Sequence, residues 1–186
     1  MIDYTLALDF SDHESLVIGI VSDTHGVLNT EIAEFIQQCD IALHAGDMMG
    51  AESLNALQPG LGHTLAVKGN NDAHSTWDES DHAQLDEIPD VVNLSLPGGM
   101  LVMEHSHRFW DRDTRITHQA LREAHPDAQL IVYGHTHVRT IDDSQEPVIV
   151  NPGAAGQIRV HDGPSCLQLN VSADKWEIKE HLFLPA

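Results

Sequence analysis

Short apolar runs recur along the chain, and each stops at a residue carrying a polar functional group. Leu16–Val21, Ile41–Leu43, Leu65–Val67 and Leu130–Tyr133 are brief and aliphatic, which predicts buried strands. They lead into Asp23-Thr24-His25, Gly46-Asp47, Gly69-Asn70 and Gly134-His135-Thr136-His137. Asp, Asn and His bind metal through oxygen or imidazole nitrogen. Parallel strands bring such ends to a common edge, where α/β folds hold their ligands. Four of them predict a polynuclear metal centre and hence an enzyme.

Helical periodicity fills the gaps in the first half. Asn29 or Thr30 caps a helix through Cys39, with Ile32, Phe35, Ile36 and Cys39 on one face. Ala51 to Leu57 reads as a short helix stopped by Pro59-Gly60, and the acidic stretch from His74 to Ile88 as a helix-containing crossover. Val91–Leu96 and Met100–Glu104 flank a Pro97-Gly98-Gly99 turn and predict a hairpin. Thr117 to Ala124 is a helix with Ile116, Ala120, Leu121 and Ala124 facing inward, ended by Pro126. Beyond His137 only strands follow: Val148–Asn151, Gln157–Val160, Cys166–Val171 and Trp176–Phe183. A βα half followed by a β-rich half predicts an α/β fold of two sheets packed face to face, with helices outside. Residues 1–16 form an N-terminal extension, either an extra edge strand or a loose tail, ahead of a single domain over 17–186.

The ordered motifs resemble the calcineurin-like metallophosphoesterases. Their pattern D-x-H, G-D, G-N-x-D, H and G-H-x-H is met by Asp23 and His25, Gly46-Asp47, Gly69-Asn70-Asn71-Asp72, His105, and Gly134-His135-Thr136-His137. Asn151-Pro152-Gly153 is similar to a segment near the end of the small members, and the likeness is closest to the compact bacterial and archaeal phosphodiesterases. The resemblance implies a four-layer α/β/β/α sandwich of two mixed sheets with outer helices. By position, Asp23, His25, Asp47 and His137 would hold one metal, and Asp47 would bridge to a second held by Asn70, His105 and His135. Any one of these residues alone would be read as a turn former or helix cap; their joint order reverses that.

Elementary chemistry fits this set. Two divalent cations about 4 Å apart need a bridging carboxylate, and a water between them becomes hydroxide near neutral pH. Imidazole, carboxylate and amide ligands suit manganese first, with iron, zinc and nickel as alternatives. Cys39 and Cys166 lie in no motif, so a thiolate zinc site is not expected. Asp72 is expected to orient its neighbours rather than bind metal. His44 points either into the site or into the core.

Two positions depart from the family pattern. Many larger members carry a protonatable His where this chain has Asn71, which cannot donate a proton at neutral pH. Ser106 stands between His105 and His107 where glycine is usual, so a turn needing positive φ would be reshaped. His107 and His135 are candidates to steady phosphate oxygens, His107 being equally readable as a solvated turn histidine. Trp77, Trp110 and Trp176 read as packing residues.

Bulk properties narrow the function further. At 186 residues the chain is in the single-domain range. It contains no apolar stretch long enough to span a bilayer. The acidic start is wrong for a secretory signal, and two cysteines make no disulfide framework, so a cytoplasmic setting is expected. With 29 Asp and Glu against 9 Lys and Arg, the formal net charge of −20 disfavours stable nucleic-acid or membrane binding. Such acidity, with three lysines, fits either general solubility or a high-salt habitat. Four of the six arginines, Arg108, Arg112, Arg115 and Arg122, follow His105 closely. Arg108 is read as a phosphate-steering cation, and Arg122 as a local ion pair with neighbours such as Asp111, Asp113 or Glu123. The combined expectation is a metal-dependent phosphodiesterase acting on a small phosphoester, in a chain that can self-associate. Its rivals are a phosphomonoesterase, a dinucleoside polyphosphate hydrolase, and a scaffold like the retromer subunit of this family.

Overall fold

The computed structural model describes residues 4–156 and 163–184. Two mixed sheets stack face to face. One contains β2 (Ser15–Val21), β3 (Ile41–His44), β4 (His63–Ala66), β10 (Ser165–Ser172) and β11 (Trp176–Leu182), in the order β11-β10-β2-β3-β4. The other contains β1 (Thr5–Asp9), β5 (Val91–Leu96), β6 (Gly99–Glu104), β7 (Leu130–Val132), β8 (Thr140–Asp142) and β9 (Val148–Asn151), in the order β1-β5-β6-β7-β9-β8.

Alternation along the strands builds the layers. Leu16, Ile18 and Ile20 of β2 face inward and join Leu94, Leu101, Met103, Leu130, Leu167 and Leu169 in the core between the sheets. The opposite face of β2 presents Val21 to α1 (Thr30–Ile36), whose Ile32 and Ile36 cover it. Gly19 fits here because a Cβ would strike Ile36. On the far side, α4 (Thr114–Ala124) lays Leu121 over Val102, Ile131 and Ile149. The helices α2 (Ala51–Asn55) and α3 (His82–Glu87) close a third cluster around Met48, Trp77 and Leu85. The arrangement is the four-layer α/β/β/α sandwich.

Most expected elements are present, with four differences. The first helix stops at Ile36, short of Cys39, and its cap is Asn29, whose side chain accepts from the Ile32 amide at 3.2 Å. Gly99 starts β6 rather than completing the turn. In α4 the buried face is Thr117, His118 and Leu121, whereas Ile116 is 53 % exposed and Ala124 is also outside. Counting only apolar residues misplaces this face, because His118 and Thr117 are buried through hydrogen bonds. Strand β8 was not expected; it is short and half-polar and exists through its antiparallel pairing with β9. Thr5–Asp9 is an edge strand, parallel to β5. The expected strand Gln157–Val160 lies outside the described residues.

Strand direction positions the loops that matter. In the first sheet β2, β3 and β4 are parallel with Val21, His44 and Ala66 in register, so their C-terminal ends are level. In the second sheet β6, β7 and β9 are parallel to each other. The motifs therefore meet at a seam between two sheets, not along one edge of a single sheet.

Candidate metal centre

Three loops from the first sheet and two from the second converge there. The loop after β2 runs beside the loop after β3, joined by hydrogen bonds from Asp23 N to Gly46 O (2.9 Å), His25 N to Asp47 O (3.0 Å) and Gly26 N to Met48 O (2.7 Å). Asp23, His25, Asp47, Ser106, His135 and His137 all hold φ between 46° and 72°. Left-handed backbone costs a non-glycine residue about 1–3 kcal/mol and clusters at functional sites. Here it turns successive side chains toward one point. Ser106 takes φ 68° in spite of its Cβ, so the expected reshaping of that turn does not occur.

Two groups of ligand atoms result. Asp23, His25 and His137 form one, and Asp47, His105 and His135 the other, each with donor atoms within 4.8 Å of one another. The groups abut: the Asp47 Oδ2 atom lies 3.4 Å from His105 Nε2 and 3.8 Å from His25 Nε2. His25 Nε2 and His137 Nε2 face each other at 3.1 Å. Asn70 is exposed in the turn after β4. Gly69 beside it must be glycine, since a Cβ would collide with the Asp47 amide and carboxylate.

Hydrogen bonding separates support from reserve. His105 Nδ1 donates to the Ala45 carbonyl at 2.7 Å, which fixes the tautomer and leaves Nε2 as a lone pair with no partner. Asp23 Oδ2 accepts from Ser22 Oγ (2.6 Å) and His135 N (3.1 Å), while its buried Oδ1 has no partner. Buried polar atoms are normally satisfied, so such orphans call for a ligand. The donor set, oxygen and imidazole without thiolate, fits divalent cations such as manganese, iron, zinc or nickel. Both cysteines are buried, and desolvation pushes the Cys39 thiol up to about 11 and the Cys166 thiol up to about 12.

Ionisation also favours cation binding. Burial alone would raise the Asp47 carboxyl, but the His105 imidazole beside it and hydrogen bonds from Asn71 outweigh it and hold the group well below the usual carboxylate range. Desolvation, followed by the neighbouring His105, keeps His135 and His107 below the ordinary imidazole value, although His107 reaches solvent.

Asn71 is engaged with Asp47 directly. Its amide N donates to Asp47 Oδ1 at 2.8 Å and its side-chain Nδ2 to Oδ2 at 2.6 Å. Asp72 does what was expected of it: its carboxylate accepts from the amides of Asp47, Gly69, Met48 and Met49 and from Trp77 Nε1, all at 2.8–3.0 Å. His44 supports the loops rather than the core. Gly46 N donates to its Nδ1 at 3.2 Å and its Nε2 meets Thr24 Oγ1 at 3.0 Å, while burial lowers its pKa to about 4 and keeps it neutral. Asn151, fully buried at the end of β9, donates to Gly134 O at 2.8 Å and so braces the loop of His135 and His137. Sequence reading assigned it no role; its place in Asn151-Pro152-Gly153 was the available signal.

The arginines divide differently from expectation. Arg108 pairs with the buried Glu104 at 3.0 Å and lies over the Phe109 ring. Arg115 pairs with Asp113, and Arg122 with Asp142 instead of a helix neighbour. Trp110 is only partly a packing residue: it is 50 % exposed and makes a T-shaped contact with His135, with ring centroids 6.0 Å apart.

The calcineurin-like phosphoesterase superfamily domain matches residues 16–174, and the chain belongs to that superfamily. A protein named "Probable metallophosphoesterase" from Methanothermobacter thermautotrophicus is 28 % identical over 167 residues, covering 86 % of this chain and 88 % of that one. One named as a phosphodiesterase from Methanocaldococcus jannaschii is 25 % identical over 144 residues, covering 73 % and 82 %. In fold, the chain is similar to vacuolar protein sorting 29 from Cryptosporidium parvum, with a TM-score of 0.70 at 15 % identity and coverage of 92 % and 99 %.

Proposed function

We propose that this chain is a metal-dependent phosphodiesterase with a dinuclear centre. One observation carries the reading: the Asp47 carboxylate stands between two imidazole–carboxylate groups whose buried Asp23 Oδ1 and His105 Nε2 atoms have no other partner. In this reading Asp23, His25, Asp47 and His137 hold one divalent cation, and Asp47, Asn70, His105 and His135 the other, manganese being the first choice. Bound there, the cations supply charge neutralisation at phosphate and activation of a shared water. The chain's own residues do the remainder. The strained loops fix ligand directions before substrate arrives, so little reorganisation is left to the reaction. Asn71 orients the Asp47 carboxylate and has an amide to offer a phosphate oxygen. His107 or His135 would offer an N–H to an equatorial phosphate oxygen. Arg108 contributes positive field at longer range. The complete set of ligand-type side chains at the motif positions favours the enzyme over a scaffold of the same fold.

With Asn71 in place of an acid, departure of a basic alkoxide is poorly assisted, whereas a nitrophenolate leaves unaided. Rates for diesters of one charge type should therefore fall steeply as the leaving alcohol becomes more basic, and Asn71→His should flatten that slope. A flat series in the wild type would show another proton donor, and no hydrolysis of any diester by manganese-loaded protein would remove the enzyme reading.

A further inference from the structure

Beside His135 a cavity of about 400 Å³ opens, walled by Trp110, Asp111, Arg112, Thr114, Thr136 and Val138. The volume lies in the range of small-molecule sites. Two features of its wall bear on what it binds. The indole of Trp110 and the side chain of Val138 are each about half exposed, at 50 % and 51 %. Trp110 makes a T-shaped contact with His135, which takes up at most one face of the indole. The second feature is charge. Arg108, Arg115, Arg122 and Arg139 are each paired with a carboxylate. Arg112 has no carboxylate partner among the described residues, in a chain with 29 acidic side chains. Its neighbour Asp111 also lines the cavity, but that carboxylate accepts from the Asp113 amide at 2.8 Å and forms no ion pair with Arg112, which leaves the guanidinium placed for an anion.

We propose that this cavity is a specificity subsite for one ester group of the substrate, taking a planar aromatic ring against Trp110 and a further phosphate against Arg112. That combination is the chemistry of a nucleotide. The proposal rests on the phosphodiesterase reading of the adjoining centre and names the class of diester that centre acts on. The ring stacks on the indole face and excludes water from Val138, a contribution available to any base. Arg112 supplies a bidentate contact to the additional phosphate, which lies outside the reacting centre. In the −20 field of the whole chain, such a local cation also offsets repulsion of a doubly charged substrate.

The test holds the leaving group constant. Wild type, Trp110→Leu, Trp110→Phe, Arg112→Gln and Arg112→Lys are compared on p-nitrophenyl diesters whose second ester group is methyl, thymidine 5′-yl, or thymidine 5′-yl carrying a 3′-phosphate. The wild type should prefer the thymidine ester over the methyl ester in kcat/KM, and Trp110→Leu should lower that ratio roughly tenfold while Trp110→Phe keeps most of it. The added 3′-phosphate should raise kcat/KM further, and Arg112→Gln should remove this increment while Arg112→Lys restores part. Binding gives a readout independent of turnover: adenosine 3′,5′-bisphosphate should quench tryptophan fluorescence saturably, with Kd raised roughly fivefold or more in Trp110→Leu (followed by calorimetry) and Arg112→Gln. Ratios and Kd unchanged by both substitutions overturn the subsite, even if every protein hydrolyses diesters. Saturable, variant-sensitive binding without hydrolysis of any ester keeps the subsite and overturns the phosphodiesterase instead.

Discussion

Two clusters of polar side chains lie at opposite treatments of the same problem. Around Asp142 every charge is answered: His118 Nδ1 sits at 2.7 Å, Arg122 Nη2 at 3.0 Å and Ser144 Oγ at 2.5 Å, and His118 Nε2 goes on to the Tyr133 hydroxyl at 3.0 Å. Arg122 also donates to the Pro147 carbonyl at 3.0 Å. Around Asp47 the backbone is strained, the buried Asp23 Oδ1, His105 Nε2, Ser106 Oγ and His137 Nδ1 atoms have no hydrogen-bond partner, and imidazoles face one another. The larger cavity, about 570 Å³, lies over the satisfied cluster and includes none of the ligand residues. Cavity size therefore does not locate the chemistry; unpartnered ligand atoms gathered at one point do. A satisfied network rigidifies the fold, whereas an unsatisfied one is held in reserve for something that binds.

Substitution should separate the two clusters cleanly. Asp47→Asn keeps the shape but removes half a charge from each group of ligands. It should cut kcat/KM for a nitrophenyl diester by on the order of a thousandfold, with folding intact by circular dichroism. Activity within tenfold of wild type would place Asp47 among the satisfied, structural acids.

The reciprocal substitution is Asp142→Asn. It should lower stability by about 1–3 kcal/mol at neutral pH in urea unfolding, with kcat/KM changed less than twofold. Partial burial works against Asp142 ionisation, but hydrogen bonds from Ser144, His118 and Arg122 outweigh it and hold the carboxyl below its usual range. A depressed folded value contributes stability that is complete above the unfolded value of about 3.9 and is lost as pH falls from there toward the folded one. The difference between wild type and Asp142→Asn should accordingly narrow below about pH 4. A gap that stays constant into acid would mean that shape, not charge, holds this cluster.

How much of this contrast was legible in the sequence follows from what each cluster depends on. The strand-end motifs announced Asp23, His25, Asp47, His135 and His137, because strand period and chain order suffice to place them, whereas His105 came only from the family resemblance. The two-sheet architecture was legible for the same reason, since β-rich and βα-rich halves differ in pattern. The seam was not, because sheet membership is set by pairing between distant strands. Nor was the Asp142 cluster: His118 is 118 residues into the chain on α4, Asp142 is on a strand of three residues, and nothing local links them. Arg122 was assigned to the wrong acids. The fate of Trp110 was equally hidden, because exposure of one ring depends on what packs beside it.

The smallest effect concerns Arg108, which sits between the two categories, ion-paired to buried Glu104 and close in sequence to His105. Arg108→Ala should raise KM for a charged diester by about two- to fivefold at low salt, with metal content unchanged. An unaltered kcat/KM would assign Arg108 wholly to the structural side.

The central claim is that the unsatisfied cluster is reserved for two cations sharing Asp47. Its most direct test is elemental analysis of metal-stripped protein reconstituted with manganese and freed of excess by gel filtration. The account predicts close to two manganese ions per folded chain, falling to one or fewer in Asp47→Asn. A reproducible value near zero in folded wild-type protein would contradict it.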